Sequence, residues 1–218
     1  MTIATFKDLC LDAGDAAALG AFWGRLLGLA DEPDGEGDSV LRGPDPRQTI
    51  WINRVPEAKT VKHRVHLDVL PSTGIAGLEA LGARVLAREP EWTVMADPEG
   101  GEFCVFPGPA EGRIRSLVID SADPAAQAAW WAAALGAEAA QEDGWWSVRK
   151  IPESPFDSWD FVPVPEPKTL KNRLHWDVTG EVSDLVRAGA RVLREQDAEI
   201  RWTVMADPEG NEFCVFGH

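Results

Sequence analysis

Apolar residues recur with a helical period over residues 19–27, where they form one face: Leu19, Phe22, Trp23, Leu26 and Leu27. Asp15 is a good N-cap for this helix, and Gly28 is a good C-terminal stop. Asp123 and Gly136 occupy the same places around a second apolar run. The pattern therefore predicts one long helix near the start of each half of the chain.

Two shorter helices are predicted over residues 74–81 and 181–188, and each ends just before a glycine. Runs rich in β-branched and aromatic residues lie around them, and in the first half they predict strands over 64–69, 84–87, 92–95 and 102–106. The sequence DPEG joins the last two strands as a turn. Each half thus reads as two consecutive βαβββ units.

An internal repeat covers nearly the whole sequence. WTVMADPEGGEFCVF at 92–106 recurs as WTVMADPEGNEFCVF at 202–216, and VPEAKTVKHRVHLDV at 55–69 recurs as VPEPKTLKNRLHWDV at 164–178. Since the order of the matching segments is the same in both halves, each half is a complete copy of one module.

The repeat sets the domain boundaries. We expect one α+β domain over residues 1–108 and a second over 113–218, joined by a short linker at 109–112 within the turn-rich sequence PGPAEGR.

Composition narrows the classes of partner and compartment. The chain carries 21 basic and 36 acidic residues, a net charge of −15, which disfavours nucleic acid as a partner. No apolar run is long enough to cross a membrane, and the N-terminus does not resemble a signal peptide. Three cysteines without CxxC spacing indicate neither a disulfide framework nor a zinc ribbon. A reducing cytoplasm fits these features.

The paired βαβββ units, the strands HLDV and HWDV, and the ending DPEGNEFCV resemble the glyoxalase-like branch of the vicinal-oxygen-chelate superfamily, which includes glyoxalase, bleomycin-resistance and dioxygenase proteins. This resemblance implies that two βαβββ units form an open, eight-stranded cup. The concave face of such a cup holds either a divalent metal ion or an organic ligand. Members include isomerases, ring-cleaving dioxygenases and metal-free proteins that sequester drugs.

The resemblance also implies a set of metal ligands from the first and last strands of each unit. It places His66 and Glu102 in the first half, and His175 and Glu212 in the second. Asp8 holds a further ligand position and is the expected third ligand beside His66. The last strand of each first unit offers no glutamate, so the set is incomplete. We therefore expect no metal cofactor, with a divalent ion of zinc, nickel, manganese or iron as the alternative.

Two other roles fit the same side chains. They are polar anchors for an organic ligand, or structural groups that pair within the sheets; the candidates are His66, Asp68, Glu102, His175, Asp177 and Glu212. Glu102 is also a weak candidate for a catalytic base. A base requires a raised pKa within the cavity, whereas a structural Glu102 should be tied to an arginine.

Ten tryptophans and no tyrosines give the chain an unusual aromatic content. Trp23, Trp92, Trp130 and Trp202 are predicted to lie in the core. Five others are candidates for cavity or interface linings, with Trp51 and Trp176 foremost as ligand contacts: Trp51, Trp145, Trp146, Trp159 and Trp176. Large aromatic faces stack on flat organic molecules.

These observations predict a protein that binds a small, aromatic organic molecule in a metal-free cup. The alternative is a metal-dependent lyase, isomerase or dioxygenase that uses the His/Glu pairs, and a metal-free enzyme is a third possibility. A monomer or a homodimer is expected. The sequence leaves open which cup binds the ligand, and whether the two halves exchange βαβββ units.

Overall fold

The computed structural model describes residues 2–33, 35 and 37–217. These residues form sixteen strands, which belong to two sheets, and four α-helices that lie between strands in the sequence. The helices are α1 (Ala16–Leu27), α2 (Ile75–Ala80), α3 (Pro124–Leu135) and α4 (Val182–Arg187). Within the described residues, none of these helices has the length and apolar character that a membrane crossing needs.

The strands follow the predicted order, four to each βαβββ unit. The first half contains β1 (Ala4–Ala13), β2 (Ala30–Pro33), β3 (Ser39–Arg42), β4 (Ile50–Arg54), β5 (Val65–Leu70), β6 (Arg84–Arg88), β7 (Thr93–Ala96) and β8 (Glu102–Val105). The second half contains β9 (Arg113–Ser121), β10 (Glu138–Gln141), β11 (Trp146–Arg149), β12 (Ser158–Pro163), β13 (Leu174–Gly180), β14 (Arg191–Arg194), β15 (Thr203–Ala206) and β16 (Glu212–Phe216).

The two halves exchange βαβββ units, which is the question that the sequence left open. Cup 1 is the sheet β14-β15-β16-β13-β1-β4-β3-β2, and cup 2 is the sheet β10-β11-β12-β9-β5-β8-β7-β6. Cup 1 therefore joins the first unit of the first half to the second unit of the second half. Cup 2 joins the remaining two units. The α+β fold with two open, eight-stranded cups is as predicted, and each cup contains strands from both halves.

Antiparallel pairing at the middle of each sheet joins the two halves. In cup 1, β1 pairs with β13, so that Asp8 lies opposite Asp177 and Cys10 lies opposite His175. In cup 2, β5 pairs with β9. Both pairings contain a β-bulge, in which the extra residue is Lys7 in cup 1 and Arg115 in cup 2. Such a bulge increases the local twist of the strand.

Helix α1 begins and ends where the sequence predicted. The Asp15 side chain accepts a hydrogen bond from the Ala18 N–H, and Gly28 adopts a left-handed conformation with φ 66° that closes the helix. Helix α3 repeats both features with Asp123 and Gly136. These caps fix where each helix leaves the sheet.

One continuous core lies between the convex faces of the two cups. Trp131 of α3 contacts the rings of Trp159, Trp176 and Phe213, each at a centroid distance of 5.2 Å, and Trp159 contacts Trp176 at 5.0 Å. Because Trp159 belongs to cup 2 and Trp176 to cup 1, this contact couples the two sheets. Burial of such large aromatic side chains contributes much of the hydrophobic stabilisation.

Candidate functional site

Each half contains a crossover segment, which joins its two βαβββ units, and this segment is bound to a glutamate of one cup. The Lys59 ammonium donates to the Glu102 carboxylate at 3.0 Å, and the His63 backbone N–H donates to its other oxygen at 3.0 Å. Glu212 is bound in the same way by Lys168 at 2.7 Å and by the Asn172 N–H at 3.1 Å. The two glutamates therefore anchor the segments that follow β4 and β12.

The electrostatics of Glu102 agree with an anchoring role. Burial acts to raise its pKa, but the hydrogen bonds from the His63 N–H and the Lys59 ammonium outweigh burial and leave the pKa below its usual value. A general base would need the opposite shift. The structural interpretation is the one supported, although the partner of Glu102 is a lysine rather than the expected arginine.

The residues present do not fit the metal-ligand set that the resemblance implies. Both glutamates are occupied by ammonium and amide groups, and β4 carries the half-buried Trp51 where a carboxylate would be needed. The expectation that Asp8 joins His66 and Glu102 is wrong, because unit exchange places Asp8 in cup 1 and the other two in cup 2.

Cup 1 instead gathers a buried group of acids, thiols and an imidazole. The Cys10 thiol donates to Asp177 Oδ2 at 3.5 Å, and one ligand atom each from Cys10, His175 and Asp177 lies within 4.8 Å of the others. Asp8 Oδ2 accepts hydrogen bonds from the Lys7 ammonium at 2.6 Å and from the Trp51 indole at 3.1 Å. This group occupies the middle of the concave face.

Burial controls the protonation of these cup 1 groups. It lowers the pKa of His175 to about 4, so that the imidazole is neutral at pH 7. Burial and then the neighbouring Asp8 carboxylate raise the pKa of Asp177 well above its usual value. Two carboxyl groups that face each other in a buried site cannot both ionise without a compensating cation.

Cup 2 contains the equivalent group in a more accessible form. His66 Nε2 lies 3.6 Å from Cys104 Sγ and 3.7 Å from Asp68 Oδ1. Burial lowers the pKa of His66 to about 4, whereas burial and then the Asp160 carboxylate raise the pKa of Asp68 to about 7. At pH 7 the His66 imidazole is therefore neutral, and the Asp68 carboxyl group beside it is close to its pKa.

The opposite wall of cup 2 comes from the second half of the chain. The Ser147 hydroxyl donates to Asp160 Oδ1 at 2.6 Å, and the Trp145 indole N–H donates to Ser147 Oγ at 3.3 Å. Trp145 is 36% exposed. A polar chain thus runs from the solvent-exposed indole to a carboxylate that faces Asp68.

An aromatic pair with a cation lies on the concave face of each cup. In cup 2, Trp92 stacks on Phe106 at a centroid distance of 5.8 Å, and the Arg115 guanidinium lies 4.2 Å from the same ring. Trp202, Phe216 and Lys7 form the equivalent group in cup 1. Trp92 and Trp202 are half-buried and lie on the concave faces, so the prediction that they are core residues is wrong. The period of two along a strand was the available signal, because it places Trp92 on the same face as Val94, and Phe106 on the same face as Cys104.

Other tryptophan predictions need correction. Trp176 and Trp159 are fully buried in the core, so neither is a ligand contact. Trp176 lies between His175 and Asp177 on β13, and since those two face the cup, Trp176 points to the convex side. Trp23 is buried as predicted, and its repeat equivalent is Trp131 rather than the half-buried Trp130.

Of the remaining tryptophans, Trp51 and Trp145 contact polar groups of a cup, whereas Trp146 packs against the core. Trp51 does contact a polar group of a cup, through its hydrogen bond to Asp8 in cup 1. Trp146 packs partly buried against the core. Trp145 therefore is the tryptophan of this set that combines exposure with a place in cup 2.

The two cups differ in access. His175 is 7% and Asp177 3% exposed, whereas Asp68 is 9% exposed and His66 is partly buried. Cys10 opposite His175 is replaced in cup 2 by Val118 opposite His66, and Asp8 is replaced by Ser116. His175 and Asp177 are therefore more deeply buried in cup 1 than His66 and Asp68 are in cup 2.

Four βαβββ units arranged as two eight-stranded open sheets, with polar groups on both concave faces, form the architecture that the resemblance to the vicinal-oxygen-chelate superfamily implied. The chain belongs to the glyoxalase-like domain family, whose model matches residues 8–106 and 116–216. No curated protein matches the chain.

Solved structures share this architecture at low sequence identity. Glyoxalase I from Zea mays is similar with a TM-score of 0.67 and 12% identity, over 97% of this chain and 92% of that one. The cppA protein from Streptococcus pneumoniae is similar with a TM-score of 0.53 and 12% identity, over 100% of this chain and 99% of that one. At such identities the likeness concerns the fold alone.

Proposed function

We propose that the chain binds a small, aromatic organic molecule in cup 2, and that this binding needs no metal ion. The observation that carries the proposal is the contrast between Glu102 and the carboxyl groups of Asp68 and Asp160. Glu102 is held by Lys59 and the His63 N–H, whereas Asp68 and Asp160 lie near each other in cup 2, where burial and the Asp160 carboxylate raise the pKa of Asp68.

The side chains of cup 2 suit a flat ligand that carries hydrogen-bond donors. Trp92, Phe106 and Trp145 offer aromatic surface at the rim and on the concave face. Asp68 and Asp160 offer acceptors between them. Aromatic surface with a few converging polar groups is typical of small-molecule sites, and carboxylates favour ligands that are cationic or rich in N–H groups.

Fluorescence titration of chelator-treated protein tests the proposal. Proflavine, a planar aromatic cation, and a panel of aromatic metabolites and antibiotics serve as probes, with tryptophan emission as the signal. We expect saturable quenching by proflavine. Unchanged emission with proflavine and across the panel would contradict the proposal.

A matched pair of variants assigns the cup. Trp92→Ala and Trp202→Ala remove repeat-equivalent indoles that stack on Phe106 and Phe216 in cups 2 and 1. Both should lower stability to a similar degree, since the lost contacts are alike. Only Trp92→Ala should weaken proflavine binding, by about tenfold for the loss of one stacking face. Equal weakening in both variants would count against cup 2.

A second candidate function is a metal-dependent lyase, isomerase or dioxygenase, and one observation favours it. His66, Asp68 and Cys104 place one ligand atom each within 4.8 Å of the others. Three such donors with open positions are the usual minimum for a catalytic ion. If this candidate is correct, chelation should abolish ligand binding in cup 2, and Cys104→Val should do the same.

A further inference from the structure

We propose that the cavity between the two crossover segments is a second ligand site, and that it binds an organic dianion whose two acid groups are separated by an apolar chain. The crossover segments are residues 55–64, between β4 and β5, and 164–173, between β12 and β13. The described residues that line this cavity include none of the side chains that the proposed function assigns to the ligand of cup 2. The two sites are therefore separate.

Two reciprocal contacts join the walls of this cavity. Arg64 Nη1 donates to the Glu166 carbonyl oxygen at 2.7 Å, and Arg173 Nη1 donates to the Glu57 carbonyl oxygen at 2.7 Å. Each arginine thus reaches from the end of one crossover segment to the other segment. The cavity between the segments has a volume of about 870 Å³, within the range of about 300–1,000 Å³ that is typical of small-molecule sites.

Two lysine side chains line the cavity at equivalent positions of the repeat. Lys62 Nζ donates to Asp120 Oδ2 at 2.8 Å, and Lys171 Nζ donates to Asp12 Oδ2 at 2.7 Å. The lysine side chains are 63% and 55% exposed, whereas each of the two aspartate side chains is 7% exposed. The carboxylates are thus withdrawn from solvent, while each ammonium group keeps N–H donors that a ligand can accept from.

The charge of the lining favours an anionic ligand. Five of the side chains that line the cavity are cationic and four are acidic, in a chain whose net charge is −15. A cleft that is more positive than the surrounding surface attracts anions. Because each wall contributes one exposed ammonium group, the arrangement matches a ligand with two acid groups rather than one.

An exposed apolar side chain precedes each of these lysines. Val61 is 45% and Leu170 49% exposed, and both line the cavity. They occupy equivalent positions of the repeat, in the segments TVK and TLK. An apolar chain that covers both side chains removes apolar surface from water, which is favourable. The cavity therefore offers apolar surface beside two groups that can bind acids.

Calorimetry with linear α,ω-dicarboxylates tests this site on the full-length chain. The series runs from adipate to dodecanedioate, and monocarboxylates of the same chain lengths are the matched ligands. We expect one dicarboxylate per chain and an affinity that is highest at one chain length. The best dicarboxylate should bind about tenfold more tightly than its monocarboxylate, because the second acid group meets the second ammonium group.

Lysine variants locate the bound dicarboxylate. Lys62→Met and Lys171→Met should each weaken binding by at least about fivefold, since each removes one ammonium group. Lys62→Arg keeps the charge and should retain most of the affinity. Lys150→Met is the control, because Lys150 lies outside the cavity in an exposed ion pair with Glu138. The high exposure of Lys62 and Lys171 makes all these substitutions compatible with the fold.

The other outcomes overturn the inference. These outcomes are an absence of binding across the series, equal affinities for dicarboxylates and monocarboxylates, and equal weakening in Lys62→Met and Lys150→Met. Loss of affinity in Lys62→Arg as large as in Lys62→Met would contradict recognition by charge. Competition between dicarboxylate and proflavine would place both ligands in cup 2 and would also overturn the second site. Proflavine binding itself is measured without dicarboxylate, so failure of this inference leaves the proposed function to its own test.

Discussion

The Lys59 ammonium lies 3.0 Å from the Glu102 carboxylate, and neither side chain is more than 21% exposed. This ion pair joins the crossover segment after β4 to the first residue of β8. Since Lys168 and Glu212 repeat the pair in the other cup, the contact belongs to the architecture of the repeated module. It also removes from metal binding the carboxylates that the family resemblance had assigned to it.

Loss of the Lys59 ammonium should destabilise the fold. Lys59→Met removes the ammonium that binds Glu102 and leaves the hydrogen bond from the His63 N–H, and we expect the free energy of unfolding to fall by about 1–2 kcal/mol. Lys150→Met is the control, because Lys150 and Glu138 form an ion pair that is 74% and 65% exposed and should contribute little. Equal effects of the two substitutions would contradict the anchoring role.

Asp68 should make the protein less stable as the pH rises. Its pKa in the fold is about 7, raised by burial and by Asp160, against 3.8 as the ordinary value, so the folded state holds more protons than the unfolded state between these limits. Stability is therefore lost as the pH rises from about 4 to 7. Asp68→Asn should gain about 1–3 kcal/mol relative to the wild type between pH 4 and pH 8 in urea titrations. A constant difference across this range would argue against the shift.

His63 should have the opposite dependence on pH. Burial lowers its pKa to about 4 from 6.5, so the unfolded state binds more protons between these values and stability falls as the pH falls from 6.5 to 4. Asn172 occupies the equivalent position, which makes His63→Asn a substitution that the fold already accommodates. The variant should retain about 1–3 kcal/mol more of its stability at pH 4 than the wild type does. Parallel stability curves would refute this account of His63.

Unit exchange makes the two halves dependent on each other. Fragments 1–111 and 112–218 should not give folded monomers, because β1 would lose its pairing with β13 and β5 its pairing with β9. Co-expressed fragments should form a 1:1 complex that is stable in size-exclusion chromatography with light scattering. Two folded, non-interacting monomers would show that each half completes its own cup.

Much of the fold could be predicted because local signals agree with it. Helix caps such as Asp15 and Gly28 and the repeated DPEG turns mark the ends of the elements. The strand that pairs with β1 could not be predicted. The segments HLDV of β5 and HWDV of β13 have the same alternation, so either could pair with β1. The distinction depends on how the short connections and the shared core orient whole units.

The candidate site was predictable only where strand alternation determines it. His66 and Asp68, and His175 and Asp177, face the cups as their spacing requires. The lysines that bind Glu102 and Glu212 lie more than forty residues away in irregular segments, where no periodicity indicates which side chain they meet. The burial of Trp176 could have been predicted from the same alternation, because His175 and Asp177 face the cup and Trp176 therefore lies on the opposite face of β13.

The most direct test of the account is the dissociation constant of proflavine, measured by calorimetry on chelator-treated protein. We predict the same affinity before and after addition of Zn²⁺, and affinity at least about fivefold weaker in Asp160→Asn, which removes one carboxylate of cup 2. Binding that requires Zn²⁺, or that is unchanged in Asp160→Asn, would contradict recognition of an aromatic ligand by the carboxylates of a metal-free cup.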